Sequence, residues 1–264
     1  MIKYIDTHTH IYDKAFDRDI GDTILRAKES GIIAAVLPAI DKENHERLLS
    51  LSAGYPGYLY PCTGLHPTSV DAGWREELDL VYKNSSDNLF CAIGEIGMDG
   101  YWSREFIKEQ AEVFEAQLRL ACKLNLPVII HSRDSTEEIF RVLETIREPA
   151  LRGVFHTFSG SYETYSRLSR YGDFLIGIGG VVTYKNSKLP ETLKKIPLER
   201  ILLETDSPWL TPSPHRGSRN EPSYIPLIAG TVATVKSCPV SEVARVTTNN
   251  AALLFGIKTQ LSLP

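Results

Sequence analysis

Residues 127–133 read PVIIHSR. Val128, Ile129 and Ile130 are apolar at successive positions, so both faces of an extended segment here are apolar. Strands of that kind belong to parallel sheets buried beneath helices, because crossover connections place a helix on each face. The run ends on a histidine, His131, and is followed by Ser135 and Glu138 at capping-box spacing ahead of a helical pattern over 136–147. One short stretch therefore predicts a buried strand, a polar side chain at its carboxyl end, and a helix after it.

The same unit recurs along the chain. Strands are predicted at 3–8, 32–37, 58–64, 89–94, 127–131, 152–157, 173–178 and 200–205. Helices are predicted near 16–29, 42–53, 74–84, 104–124, 136–147, 161–170, 188–195 and 224–236. The clearest helix is 104–124, where Phe106, Ile107, Val113, Phe114, Leu118, Ala121 and Leu124 recur at three- to four-residue spacing and Ser103 is placed to cap it. Eight alternating units predict an α/β fold, a (β/α)8 TIM-type barrel, with a doubly wound open sheet as the alternative. An extra C-terminal helix near 241–255 is expected to pack against the outside. With no linker in view, residues 1–264 read as a single barrel domain.

The bulk properties narrow the function classes. The chain is 42% hydrophobic and 23% charged, with a net charge of -4. That argues against a generally basic nucleic-acid coat but permits a local basic groove. Cys62, Cys91, Cys122 and Cys238 are far apart and form no C-x-x-C pair. In a chain with no visible signal peptide, that pattern reads as reduced thiols in a cytoplasmic protein. No apolar run approaches 18 residues, so no membrane partner is expected.

The histidines carry the functional signal. His8 and His10 end the first strand, His66 the third, His131 the fifth and His156 the sixth, so five of the seven histidines fall at strand carboxyl ends. Glu95 ends the predicted fourth strand and Asp206 the eighth. In a barrel these ends converge on one mouth, where active sites form. His8 and His10, at i and i+2 of a strand, face the same way. The six candidate ligands are His8, His10, Glu95, His131, His156 and Asp206. Six exceed what one open catalytic ion takes and suit two divalent ions with a bridging carboxylate. Glu95 is the natural bridge, with His8, His10 and Asp206 on one ion and His131 and His156 on the other. Zn, Mn or Ni suit such a site, as does Fe; Mg is also considered, though it is less at ease among four imidazoles.

Around this set, Arg133 follows His131 by two residues, and Arg216 and Arg219 lie in the glycine-containing segment after the eighth strand. With Lys185 and Lys188 they form a prospective cationic arc for phosphate, arginine forks matching its oxygens. The alternative is that Arg216 and Arg219 pair with Glu221 or Glu204 and brace the loop. His66 reads as a substrate-binding donor or a structural hydrogen bond, outside the metal ligands. Asp99 either orients a ligand or starts a turn, and Tyr101, Trp102 and Trp209 either stack a base or pack a loop.

The stretches IDTHTH (5–10), TGLHP (63–67), IGEIGMD (93–99), VIIHSRD (128–134), FHTFSG (155–160), ILLETDSPWL (201–210) and SPHRGSRNEP (213–222) resemble, in order, the TatD family of metal-dependent hydrolases, many of them described as deoxyribonucleases. The resemblance implies a TIM-type barrel with a dinuclear centre held by His8, His10, Glu95, His131, His156 and Asp206. One departure is Gly100, standing where the family usually has an aromatic after GEIGMD, and it is expected to reshape the substrate lip. The leading expectation is a deoxyribonuclease, 3′-5′ exonuclease-like on single-stranded or end-exposed DNA, with Asp206 as general base and Glu95 as bridge. The partner would be DNA or another phosphodiester, and the protein a monomer or weak oligomer. Hydrolysis of esters or amides, such as aminoacyl-tRNA esters or small cyclic amides, and a non-enzymatic metal-bound scaffold are the alternatives.

Overall fold

The computed structural model describes residues 2–85, 89–148 and 150–258. Strands and helices alternate as β1 (Tyr4–Asp6), α1 (Ile20–Glu29), β2 (Ile32–Leu37), α2 (Lys42–Gly54), β3 (Leu59–Pro61), α3 (Trp74–Asn84), β4 (Ile93–Asp99), α4 (Ile107–Leu124), β5 (Val128–Arg133), α5 (Thr136–Ile146), β6 (Arg152–Phe155), α6 (Tyr162–Leu168), β7 (Asp173–Ile178), α7 (Leu189–Leu193), β8 (Ile201–Leu203), α8 (Ile225–Lys236) and α9 (Val240–Phe255). All strand pairs are parallel, in two ladders ordered β1-β2-β3 and β4-β5-β6-β7-β8.

Hydrogen bonds just beyond the strand ends join the two ladders at both seams. Between β3 and β4, Gly94 N donates to Thr63 O at 2.9 Å and Thr63 N to Ala92 O at 3.3 Å. Between β8 and β1, Thr7 N donates to Leu203 O at 3.1 Å, Asp206 N to His8 O at 2.9 Å and His10 N to Ser207 O at 2.8 Å. The ring closes, giving the (β/α)8 barrel expected from the alternating pattern.

The interior is filled by one side chain or more from each strand or its flank. Ile5, Ala34, Val36, Cys62, Ala92, Ile129, Val154, Leu175 and Leu202 form one buried cluster, which Ala251, Leu254, Phe255 and Ile257 complete. Helix α9 therefore does more than pack outside the barrel. Its last turn covers the amino-terminal end of the strands, leaving the carboxyl end as the open mouth. A larger cluster, including Val113, Phe114, Leu118 and Ala121 of α4, lies between barrel and helices.

Three expectations need correction. The fourth strand runs over Ile93–Asp99, not 89–94, because Gly97, Met98 and Asp99 continue the ladder opposite His131, Ser132 and Arg133. Glu95 thus lies inside a strand, not at its end. Ser103 does not cap α4, which begins at Ile107; its hydroxyl accepts from Glu105 N instead. The Ser135–Glu138 capping box does not form either. The Ser135 hydroxyl donates to Met98 O at 2.6 Å, tying α5 to β4, and Glu138 pairs with Arg104.

Two glutamines fix the β4 side of the mouth. Gln110 and Gln117 lie two turns apart on one face of α4 and are both buried. Gln117 accepts from Leu65 N at 2.7 Å and donates to Leu65 O at 3.2 Å. Gln110 does the same for Asp99, at 2.9 and 3.2 Å. Each side-chain amide substitutes for a neighbouring strand and satisfies two backbone groups that would otherwise be buried unpaired. Gln117→Leu should cost roughly 1–3 kcal/mol by stranding the Leu65 backbone groups, measured as a lower urea midpoint with unchanged slope.

On the outside, Arg219 binds Asp19 through both guanidinium nitrogens at 2.7 Å, and Arg26 joins Asp19 at 3.1 Å to Glu221 at 2.7 Å. The hydrogen bond from Arg219, then that from Arg26, outweighs the small burial cost and holds the Asp19 carboxyl well below its ordinary range. A depressed carboxyl contributes stability that is present above its unfolded value near 3.9 and lost as pH falls through the folded value. Asp19 is partly exposed, so Asp19→Asn should cost about 1 kcal/mol at pH 7. Urea midpoints of variant and wild type should converge as pH falls below about 4.

Candidate metal centre

Glu95 stands at the centre of the mouth with its side chain only 3% exposed. Its Oε2 is 3.1 Å from His8 Nε2 and 3.6 Å from His10 Nε2. Its Oε1 is 2.7 Å from His156 Nε2, 2.8 Å from His131 Nδ1 and 3.1 Å from His66 Nε2. Asp206 Oδ1 lies 3.5 and 3.7 Å from the His8 and His10 Nε2 atoms. The two oxygens of one carboxylate thus face two different groups of nitrogens. Strand β1 and its extension supply His8 and His10, β5 supplies His131, and the residue after β6 supplies His156.

The hydrogen bonds behind each ring decide which nitrogen keeps a lone pair. Tyr12 donates its hydroxyl proton to Pro38 O at 2.6 Å, so at 2.8 Å it accepts from His10 Nδ1–H. Asp99 Oδ2 accepts from His131 Nε2–H at 2.9 Å. The Thr157 hydroxyl donates to Glu204 at 2.9 Å and accepts from His156 Nδ1–H at 3.2 Å. His10, His131 and His156 are thereby left with bare nitrogens aimed at the centre. His66 is wired the other way. Its Nδ1 accepts from Thr68 N at 3.1 Å, which leaves Nε2–H as a donor to Glu95.

This arrangement fits a cation. His8 Nε2 and His10 Nε2 are 3.0 Å apart, close enough to share one proton or one cation between them. Donors around a tetrahedral ion at about 2.1 Å would be about 3.4 Å apart, and the spacings here run from 2.7 to 3.7 Å. His8–His10–Glu95 and His66–Glu95–His131 are each close enough to hold an ion. The proton wiring of His66 favours His131 and His156 as donors in the second group.

Electrostatics agree with that chemistry. Burial lowers the pKa of His8, His66 and His156, opposing charge on these imidazoles. Burial opposes ionisation of Glu95, but His156, His66 and His8 outweigh it and hold the carboxyl well below its ordinary range. Burial also opposes charge on His131, yet its hydrogen bonds to Asp99 and Glu95 raise it to about 9, so a cation there would compete with a proton. Burial and the neighbouring Glu95 push Asp206 well above the usual carboxylate range.

A cavity of about 770 Å³ opens over the centre, lined among others by His66, Trp102, Arg133, Asp206 and Trp209. Arg133 stacks on the Tyr101 ring at 3.6 Å and, among the described residues, forms no ion pair. The other expected substrate cations lie elsewhere. Arg219 is spent on Asp19, so the bracing alternative describes it better, with Asp19 the principal partner. Arg216 is exposed over Tyr184 at 4.0 Å and does not line the cavity. Lys185 and Lys188 do not line it either, so the cationic arc reduces to Arg133. Glu204 is no loop brace; it is buried beneath His156.

Asp99 performs both roles weighed for it. While Oδ2 orients His131, Oδ1 accepts from Tyr101 N at 2.9 Å and Trp102 N at 3.2 Å, folding the aromatic lip. Gly100 permits this turn, since a Cβ there would stand 2.5 Å from Asp134 O. Tyr12, Thr157, Glu204, Gln110 and Gln117 are the residues that sequence reading missed. Thr157 and Glu204 carried a signal, by lying beside His156 and Asp206 in the stretches FHTFSG and ILLETDSPWL, whereas Tyr12 stands just beyond IDTHTH.

The comparisons with known proteins agree with this geometry. The family model described as TatD related DNase matches residues 5–256. The chain is 38% identical over 253 residues to the uncharacterized metal-dependent hydrolase YabD of Bacillus subtilis (strain 168), covering 96% of this chain and 98% of that one. It is 34% identical over 266 residues to the deoxyribonuclease TATDN3 of Homo sapiens, covering 95% and 94%. Among solved structures it resembles YjjV, a TatD homologue from Escherichia coli K12, with a TM-score of 0.87 at 30% identity over 97% of this chain and 99% of that one. A ring of histidines about a buried glutamate at the carboxyl end of a closed barrel, and likeness along nearly the whole length, lead to one conclusion: the chain belongs to the TatD family of metal-dependent hydrolases.

Proposed function

We propose that this hydrolase is a two-metal deoxyribonuclease that trims single-stranded or end-exposed DNA from the 3′ end. The observation that carries the reading is the division of Glu95, with Oε2 facing His8 and His10 and Oε1 facing His131 and His156. Glu95 with His8, His10 and Asp206 would hold one ion, and Glu95 with His131 and His156 a second. Two divalent ions, Zn, Mn, Ni or Mg, would supply Lewis-acid polarisation of a phosphoryl oxygen and a water of lowered pKa. Support for a nucleic-acid substrate comes from the family description as DNases and from the naming of the human relative as a deoxyribonuclease.

The chain's own residues then divide the work. Asp206, on the cavity wall beside His8 and His10, takes the proton of the attacking water. His66 lines the cavity with its Nε2–H, which donates to Glu95 here and would turn to a phosphate oxygen or the leaving group once Glu95 holds the ions. Arg133, packed over the Tyr101 ring and free of carboxylates among the described residues, binds the phosphate next along the strand. Trp102 and Trp209, 71% and 47% exposed, flank the cavity and offer faces on which terminal bases stack. A pocket at a barrel mouth suits a strand end better than continuous duplex.

End-labelled single-stranded DNA, 3′ or 5′, should be laddered from one end in the presence of Mg, Mn or Zn, and Asp206→Asn should lose at least about 100-fold in kcat. Intact DNA with fully metallated wild type would instead direct the assay to esters and amides. Trp102→Ala should raise KM for oligonucleotides by roughly 5–150-fold, equivalent to the 1–3 kcal/mol of one stacked base, with kcat little changed.

A further inference from the structure

Glu204 is fully buried next to Asp206, yet no part of the mechanism above uses it. Its Oε1 accepts from both the backbone N–H and the hydroxyl of Thr157, and lies 3.8 Å from His156 Nδ1. Its Oε2 is buried without a hydrogen-bond partner among the described residues. The same is true of His8 Nδ1, the ring nitrogen turned away from Glu95. The His8 and His156 rings stack nearly parallel, 4.0 Å apart, and a nitrogen of each lies within 4.8 Å of a Glu204 oxygen. One buried carboxylate therefore sits behind two histidines that face opposite oxygens of Glu95.

Chemistry requires a partner there. If His8 Nε2 offers a lone pair to a metal, the neutral ring carries its proton on Nδ1, and a buried N–H without an acceptor is costly. Histidine ligands ordinarily pass that proton to a carboxylate, carbonyl or water, which sets ring orientation and raises basicity. His10 and His131 have such partners in Tyr12 and Asp99. Position 177 makes room for one at His8. A Cβ on Gly177 would lie 2.0 Å from Glu204 Oε2, so any larger residue would displace the carboxylate.

We infer that Glu204 is a positioning residue whose Oε2 accepts the His8 Nδ1–H, directly or through one water, while Oε1 holds Thr157 and through it His156. A single carboxylate thereby sets the tautomer of one histidine in each group, and Gly177 is required to admit it. The inference rests on the reading that His8 and His156 bind metal, but not on the substrate.

The test is Zn2+ affinity by chelator competition for wild type, Glu204→Gln and Gly177→Ala, together with His8 ring 15N shifts in long-range 1H–15N spectra of the Zn-loaded protein. Glutamine keeps an oxygen for Thr157 but replaces the acceptor at Oε2. Zn2+ affinity should fall roughly 10–100-fold in Glu204→Gln, with the metal-free unfolding midpoint preserved. The His8 signal should report Nδ1–H in wild type and shift in the variant. Gly177→Ala should weaken binding in the same way. Equal Zn2+ affinity and unchanged His8 shifts in wild type and Glu204→Gln would overturn this inference alone. Wild type that takes up no Zn2+ would overturn the ligand set and the inference together. Neither result depends on which bond the enzyme hydrolyses.

Discussion

A buried carboxylate needs charge or hydrogen bonds to remain ionised, and the mouth of this barrel is organised around that requirement at Glu95. Five histidine nitrogens lie between 2.7 and 3.6 Å from its two oxygens. They come from the extension of β1, from β5, the loop after β3 and the residue after β6. Those segments meet only because the seams between β3 and β4 and between β8 and β1 are closed by hydrogen bonds. Closure of the barrel therefore brings the site together, above interior side chains sealed by the end of α9.

A second ring of groups decides what the first can do. Tyr12, Asp99 and Thr157 each draw a proton to the far side of a histidine and leave a lone pair at the centre. Thr68 does the reverse to His66, turning it into a donor. Two imidazoles at similar distances from Glu95 thus have opposite chemistry, set by the neighbours behind each ring. Asp99 extends the same logic to the rim, since the carboxylate that orients His131 also folds the turn carrying Tyr101 and Trp102. The position of the aromatic lip is thereby mechanically tied to a candidate ligand.

The long segment after β8 shows how structure reassigns charge. Arg219 and Arg26 share Asp19 and Glu221, which pins that segment to α1 on the outer side. A guanidinium held at both ends by carboxylates has no field left for a phosphate. Arg133, whose neighbours are aromatic faces, keeps its donors available. The same residue type is structural in one place and available for recognition in the other because of what the fold brings beside it.

Local pattern determined much of this protein. Runs such as IIAAVL and PVIIH, alternating with helical periodicity, specify buried parallel strands because period and hydrophobicity are properties of contiguous residues. The strand-end positions of His8, His10, His131, His156 and Asp206 follow from the same count, since a barrel gathers all carboxyl ends at one mouth. What the chain order could not show was any relation between distant residues. The glycines in IGEIGMD read as the end of a strand, whereas the ladder with β5 carries it on to Asp99. Ser135 looks like a helix cap and instead bonds to Met98, 37 residues away. Glu204 and Gln117 look like ordinary polar residues of a strand end and a helix. Their roles appear only when Thr157 and Leu65 arrive beside them. Periodicity is written in neighbours along the chain, while protonation state, ion pairing and hydrogen-bond partnership are written in neighbours through space, and those exist only after the barrel has closed.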